Sequence, residues 1–483
     1  MPCPPPLHHS LDPTDWQALR TQGHKMLDDM FDYLEAAHEQ PVWQAMPDAI
    51  YQSFQQPLND QATPLPDVHE LFMKTILPYS IGNTRSGFMG WVHGGGTAVG
   101  MLAEMLAAGI NANLGGRYQA PIEVERQLSR WVCQQFKFPE TAHGLLVSGT
   151  SMANFISVLI ARTVYLGETV RTAGVAAGTT RLVAYTSSSA HLSIGKAMDM
   201  AGLGSHCLRS IPVNAKYQFD VVALEHAIKQ DKQAGLCPFF IAATVGTVDV
   251  GAIDPLAELA ALAKREQLWL HVDGAFGALA ILSDSLAPQL QGIEHADSLA
   301  FDFHKWGQVP YSAGFVLIRQ HAQQLATFTS SAAYLQRSTS GMAAGSPWPC
   351  DEGPELSRNF MALKVWFTLK VYGRTNLGNM IAHSCALALY LKQLIEHTPE
   401  LELLAPVTLN IVCYRYRCTT EAEANRVNQL LVNALQNSGI TAPSSTYLQG
   451  KFAIRAALVN HRTQHRDIDN LLHTTLTLAK HLV

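Results

Sequence analysis

Between about residue 140 and residue 320, short apolar runs alternate with helical stretches, and this alternation limits the possible folds more than any other feature of the chain. "GLLVSGTS" leads into a helical run, "RLVAYTS" into "SSAHLSIGKAMDMAG" and "FFIAATVG" into "PLAELAALAKREQ", followed by "LWLHVDG", "SLAFDFHK" and "GFVLIR". Such runs read as strands of a largely parallel sheet covered by helices on both faces, an α/β architecture. In sheets of this kind ligands sit beyond the carboxyl ends of the strands. The polar clusters discussed below each follow one of these runs directly.

The flanks read differently. "TDWQALRTQGHKMLDDMFDYLEA" spaces its apolar residues at three and four, with Thr14 or Asp15 able to cap it, so residues 14 to 36 are expected to form an amphipathic helix that covers another surface. "PDAIYQSFQQPLNDQATPLPD" is turn-rich and expected to be extended. Residues 329 to 355 lack periodicity and are rich in Ser, Ala, Gly and Pro, which predicts a long mobile loop of functional use. Beyond it come a helical stretch from Asn359 to His397, the strand-like "VTLNIVCYRYR" and "KFAIRAALV", and a last helix near Ile468 to Lys480. At 483 residues the chain thus divides into a wrapping segment (1–85), a large domain (86–375) and a smaller α+β domain (376–483).

Charge and cysteine content exclude several functions. Lys and Arg number 34 against 39 Asp and Glu, so no basic stripe offers itself to nucleic acid or an anionic membrane. The eight cysteines are scattered and none has C-x-x-C spacing, which suggests neither a disulfide framework nor a metal site. No run is apolar enough to span a bilayer and the N-terminus has no signal-like character, so a cytoplasmic protein is expected.

"LLVSGTSMAN" admits two readings. Its Gly-Thr-Ser-Met-Ala centre resembles the nucleophile segment of subtilisin-type proteases, yet a small hydroxyl at a helix N-terminus equally suits a phosphate cradle. The hydrolase reading fails, because neither partner signatures nor a G-x-S-x-G elbow occur, and "HGGG" at His93 to Gly96 is then turn chemistry. Three other strand ends carry chemistry. Lys305 in "DFHKW" follows an apolar run, where an amine loses charge stabilisation and becomes usable for Schiff-base formation. Asp273 in "LHVDGAFGA" could receive the charge of a pyridinium nitrogen or merely cap the next helix. His191 in "SSSAHLSIGKA" could lie on a planar ring or be a core histidine. An anion cradle, a Schiff-base lysine, a nitrogen partner and a stacking histidine together are what pyridoxal 5'-phosphate (PLP) requires.

These segments, with "GFMGWVHGG", "ATVGTVDVGAID", "AAYLQ" and "KFAIR" in the same order, resemble the group II PLP-dependent amino-acid decarboxylases, a family of aromatic-amino-acid, glutamate and diaminobutyrate decarboxylases. The resemblance covers nearly the whole chain and implies a fold-type I, aspartate aminotransferase-like enzyme that is a homodimer with active sites at the interface. It implies that Lys305 carries the cofactor, Asp273 pairs with the pyridine nitrogen, His191 stacks on the ring and Ala275 packs beneath it. Gly149, Thr150 and Ser151 would hold the phosphate with His304 and Asp302 nearby, though the family often has Asn at the latter position. Thr247 would bond the ring substituents, and Tyr334 would return a proton to the α-carbon. For the substrate, Gly115 and Gly116 leave space beside Phe88 and Trp91 for an aromatic side chain, while Arg117 could pair with an acidic one or face solvent or a partner subunit. Arg85 stands where many relatives carry His, and Arg455 is either near the substrate or structural. An aminotransferase or an aldehyde synthase would share this cofactor site.

Overall fold

The structure, a computed structural model, describes residues 10–58, 60–175, 181–330 and 336–482. After a two-residue strand β1 (Phe88–Met89), the apolar runs form a seven-stranded sheet from β2 (His143–Val147), β3 (Leu182–Ser187), β4 (Leu208–Ile211), β5 (Cys237–Thr244), β6 (Trp269–Asp273), β7 (Ser298–Asp302) and β8 (Gly314–Ile318). Their order is β2-β8-β7-β6-β5-β3-β4, with β8 alone running opposite to the other six. Every residue of β3, β6, β7 and β8 is buried, as a sheet covered on both faces demands. Leu146, Ile241, Val272, Leu299 and Phe315 centre the core on one face, while Val147, Phe240, Ala300 and Val316 pack with the helix Thr150–Leu166 on the other. Alternation along each strand thus feeds two cores from one sheet.

The second sheet holds β9 (Leu401–Leu403), β10 (Ile411–Tyr416), β11 (Ala442–Leu448) and β12 (Lys451–Ala457) in the order β1-β11-β12-β10-β9. β1 joins it from far upstream by pairing parallel to β11, Phe88 opposite Ala442. β11 carries Pro443, Ser444, Ser445 and Thr446, so its local pattern is weak, and pairing with β12 makes it a strand. The long helix Met361–Glu396 breaks at Gly373, whose φ of 69° and ψ of 164° lie outside helical space.

The expected N-terminal helix spans Trp16–Glu35, and the Asp15 carboxylate caps it by accepting from the backbone N–H groups of Gln17 and Ala18, both at 2.9 Å. None of its residues is buried within the chain, and Trp16, Leu19 and Phe31 are exposed. Residues 47–67 are not simply extended: short helices occupy Asp48–Ser53 and Leu65–Leu71, each entered from a proline. Proline breaks a helix interior but suits its first turn. The 329–355 segment is also not one mobile loop. Trp348, Cys350, Asp351 and Glu352 are buried, Arg126 donates to the Gly345 and Pro347 carbonyls at 2.8 and 2.6 Å, and Arg337 pairs with Asp351. Among the described residues no helix is long and apolar enough to cross a membrane.

Candidate active site

The carboxyl ends of β2, β3, β5, β6 and β7 converge on a cavity of about 460 Å³. Gly149, Thr150, Ser151, His191, Asp273, Ala275, Asp302, His304, Lys305 and Trp91 line it, so ten residues singled out from sequence meet in one place. Lys305 follows β7, and its Nζ lies 2.9 Å from Oδ2 of the buried Asp302. The other oxygen of Asp302 accepts from the Thr150 backbone N–H at 2.7 Å, which ties the lysine to the first turn of the helix after β2. The turn at Gly149 sits directly on β8: a Cβ on Gly314 would stand 2.4 Å from the Gly149 Cα. The "HGGG" run serves a similar close approach. A Cβ on Gly94 would lie 2.4 Å from the carbonyl oxygens of both His304 and Lys305, so glycine there lets the turn rest on the lysine's own backbone.

Asp273 ends β6 in a buried network that residue spacing does not reveal. The Asn154 Nδ2 donates to Asp273 Oδ2 at 2.9 Å and to Ser193 Oγ at 3.0 Å, while its Oδ1 faces His271 Nε2 at 2.9 Å. On the far side His271 Nδ1 meets Ser298 Oγ at 2.8 Å, and that hydroxyl accepts from Trp269 Nε1 at 2.8 Å. One proton assignment satisfies every member: His271 carries its proton on Nε2 for Asn154 and accepts from Ser298 at Nδ1. Burial depresses the His271 pKa to about 3 and keeps the ring neutral, as that assignment requires. Burial also pushes the Asp273 carboxyl up, and the Asn154 hydrogen bond, the Lys305 and His191 charges and the Ala275 N–H oppose it.

His191 stands exposed at the cavity mouth, with Nδ1 2.8 Å from Ser193 Oγ, and its protein surroundings lower its pKa. His304 is buried against the Tyr311 ring at 4.2 Å between centroids, and burial takes its pKa to about 4. Among the described residues two hydroxyls are without a hydrogen-bond partner here or nearby: Thr150 Oγ1, in the cavity wall at the helix N-terminus, and Ser187 Oγ, at the end of β3. An unpartnered hydroxyl at a helix N-terminus fits a phosphate, and a carboxylate behind a lysine fits a pyridinium ring, so the residues present suit PLP.

Several expected residues lie elsewhere. Phe88 is buried beneath the wall, stacked on His93 at 5.8 Å, and does not line the cavity. Thr247 is fully buried, its Oγ1 accepting from the Ala252 N–H at 3.0 Å, and Thr244, Gly246 and Val248 line the cavity from that stretch instead. Arg117 is exposed and absent from the lining, its guanidinium 4.7 Å from the Trp348 ring. The room expected at Gly115 and Gly116 is filled: added Cβ atoms would lie 1.9 Å from the Leu356 carbonyl oxygen and 2.4 Å from the Trp348 ring. Arg455 is buried behind Trp91 and holds that residue's carbonyl at 3.0 Å, together with those of Val248 and Asp249 and the Ser444 hydroxyl. Arg85 is buried too, its guanidinium 4.3 Å from the Tyr33 ring. Tyr334 lies outside the described residues. Sequence reasoning missed Asn154, Ser193, Thr244 and Tyr311; Tyr311 stands in the "KWGQVPYSAG" run beside the lysine, and its position there was the available signal.

Residues 47–417 match the pyridoxal-dependent decarboxylase conserved domain. The chain belongs to that family. An aromatic-L-amino-acid decarboxylase of Bacillus atrophaeus is 30% identical over 96% of both chains, and a phenylacetaldehyde synthase of Arabidopsis thaliana is 27% identical over 95% of both. The Oryza sativa TDC solved with PLP and tryptamine superposes with a TM-score of 0.89 at 23% identity, over 98% of this chain and 99% of that one. The glutamate decarboxylase domain from Vibrio parahaemolyticus gives 0.86 at 25% identity over 98% and 97%. The decarboxylase is therefore a fold-type I, PLP-dependent enzyme that acts on an amino acid.

Proposed function

We propose that the decarboxylase converts an aromatic L-amino acid to its amine and carbon dioxide, in a site where Lys305 would carry PLP, Asp273 would pair with its pyridine nitrogen and His191 would pack on its ring. Bound there, PLP supplies the electron sink for the pair left behind when carbon dioxide departs. Asp273, braced by Asn154, holds the proton on the ring nitrogen. Thr150 and Ser151, at the N-terminus of the helix Thr150–Leu166, would bind the phosphate. Lys305, which rests on Asp302, would hold the cofactor, and Tyr334 would deliver the proton to the α-carbon.

The observation that carries the substrate class is the composition of the free wall. Trp91, Val92, His93, Phe276 and Tyr311 line it, whereas Arg117, the cation expected to favour an acidic side chain, lies apart on Trp348. An apolar wall with polar groups at one end is the usual form of a site for an aromatic ligand. Carbon dioxide release over a panel of L-amino acids, with amine, ammonia and hydrogen peroxide followed together, tests this. Amine from aromatic substrates is the expected result, and preferential turnover of glutamate would overturn it. Ammonia and peroxide would instead indicate aldehyde-synthase chemistry. A homodimer in the cytoplasm completes the proposal; the uncovered apolar residues of Trp16–Glu35 support the first part and the seven free described cysteines the second.

A further inference from the structure

At the opposite end of β2 from the active site, a second cavity of about 750 Å³ is lined by His143, His321 and Glu352 among others. His143 opens β2, His321 opens the helix that follows β8, and Glu352 closes the anchored part of the 329–355 segment. The Glu352 carboxylate is buried and divides its oxygens: Oε2 lies 3.1 Å from His143 Nε2, and Oε1 lies 3.0 Å from His321 Nε2. The imidazoles face each other with centroids 4.2 Å apart, and all three ligand atoms fall within 4.8 Å of one another. Each N···O pair needs either a hydrogen donated from the imidazole Nε2 to the carboxylate or one divalent ion shared by all three.

We propose that His143, His321 and Glu352 form a binding site for a divalent transition-metal ion of the zinc class. Metal–ligand bonds of about 2.0–2.2 Å at tetrahedral angles set ligand atoms about 3.3 Å apart, close to both observed separations. Two imidazoles and a carboxylate are ligands that zinc accepts. The three backbones are already fixed: His143 is paired with Ile318 of β8, the His321 N–H donates to the Thr141 carbonyl at 2.9 Å, and the Glu352 carbonyl accepts from Gln324 Nε2 at 2.8 Å. Both histidines are partly exposed toward the cavity, with side-chain accessibilities of 18% and 27%, so water can complete the coordination. Occupied, the site joins the sheet edge to Glu352, next to the Asp351 that Arg337 grips. Cysteine spacing could not signal it, because the ligands come from three distant segments and include no cysteine.

The test uses tag-free holoenzyme dialysed against a chelator. Titration with Zn²⁺ in a calorimeter, and with Co²⁺ followed by its visible absorption, is expected to show one ion per chain with bands of four- or five-coordinate cobalt. Loss of an outer-shell partner already lowers metal affinity by about 10–100-fold, so His143→Asn and His321→Asn are each expected to cost at least that. Zn²⁺ at about a hundredfold over its dissociation constant should raise the Tm of the parent by a few degrees and that of each variant by no more than about half as much. No uptake beyond background, or equal uptake by the double variant, would overturn the proposal and leave the cluster an ion pair. If His143→Asn fails to fold, the exposed-side His321→Asn decides the matter alone.

Discussion

Replacing Asn154 by Ala isolates what the buried network does for the cofactor site. The side chain is fully buried and gives one hydrogen bond to the Asp273 carboxylate at 2.9 Å; the Ala275 N–H at 3.1 Å is the carboxylate's other hydrogen bond. A hydrogen bond to a charged group contributes about 1.5–3 kcal/mol, so its loss corresponds to roughly a tenfold to hundredfold change in whatever depends on a charged Asp273. Burial already pushes that carboxyl up and Asn154 is the largest opposing influence, so the variant's Asp273 is more readily protonated. A protonated Asp273 does not stabilise a ring-nitrogen proton, and kcat should therefore fall by that factor even at saturating PLP. The second loss is different in kind: His271 Nε2–H is left without an acceptor, at a cost of about 1–3 kcal/mol in global stability. Carbon dioxide release at saturating PLP measures the first effect and urea denaturation the second. A folded Asn154→Ala enzyme whose kcat stays within about twofold of the parent would refute the claim that this amide tunes Asp273, even if it were less stable.

Three further outcomes are expected. Tyr334→Phe should divert product from amine to aldehyde with ammonia release and oxygen consumption, and an unchanged amine yield would remove Tyr334 as the proton donor. Asp302→Asn keeps an acceptor for the Thr150 N–H while removing a buried carboxylate from beside the proposed phosphate cradle, so the PLP dissociation constant, read by fluorescence titration of apoenzyme, should fall by about tenfold; weaker binding would mean that the charge is needed to place Lys305. His271 and His304 have folded pKa values near 3 and 4, below the unfolded value of about 6.5. The unfolded chain therefore takes up protons first as pH falls, and stability that is complete above pH 6.5 should drop by about 2 kcal/mol per histidine between pH 7 and pH 5, visible as a lower urea midpoint.

The central sheet was legible because its strands announce themselves locally. The runs at β2, β3, β5, β6, β7 and β8 are apolar, bounded by turns and separated by helices, and each became a strand. β4 and β11 were not seen for one reason. "LRSI" is a short edge strand and "APSSTYL" is polar in the middle, so neighbours define them and composition does not. The expected space at Gly115 and Gly116 failed similarly: a missing Cβ shows that something comes close, and in this fold the close thing is Trp348 and a backbone carbonyl rather than a ligand.

The same distinction separates the parts of the site that sequence exposes from those it hides. Lys305, Asp273, His191 and the Gly149–Ser151 turn each sit at the carboxyl end of a strand or just past it, and a parallel sheet brings such positions together whatever lies between them. Asn154 stands one turn into a helix among "MANFISVLIAR", where its spacing is that of any buried helical position, and its meaning depends on His271 and Asp273 reaching it from another strand. His271 is the converse case. It stands two residues before Asp273 on the same face of β6, yet one step deeper in the strand its ring does not line the cavity and lies instead between Ser298 and Asn154. Asp273 ends β6 and turns its carboxylate to the cavity, and His271, still inside the strand, is left to orient the amide that holds that carboxylate.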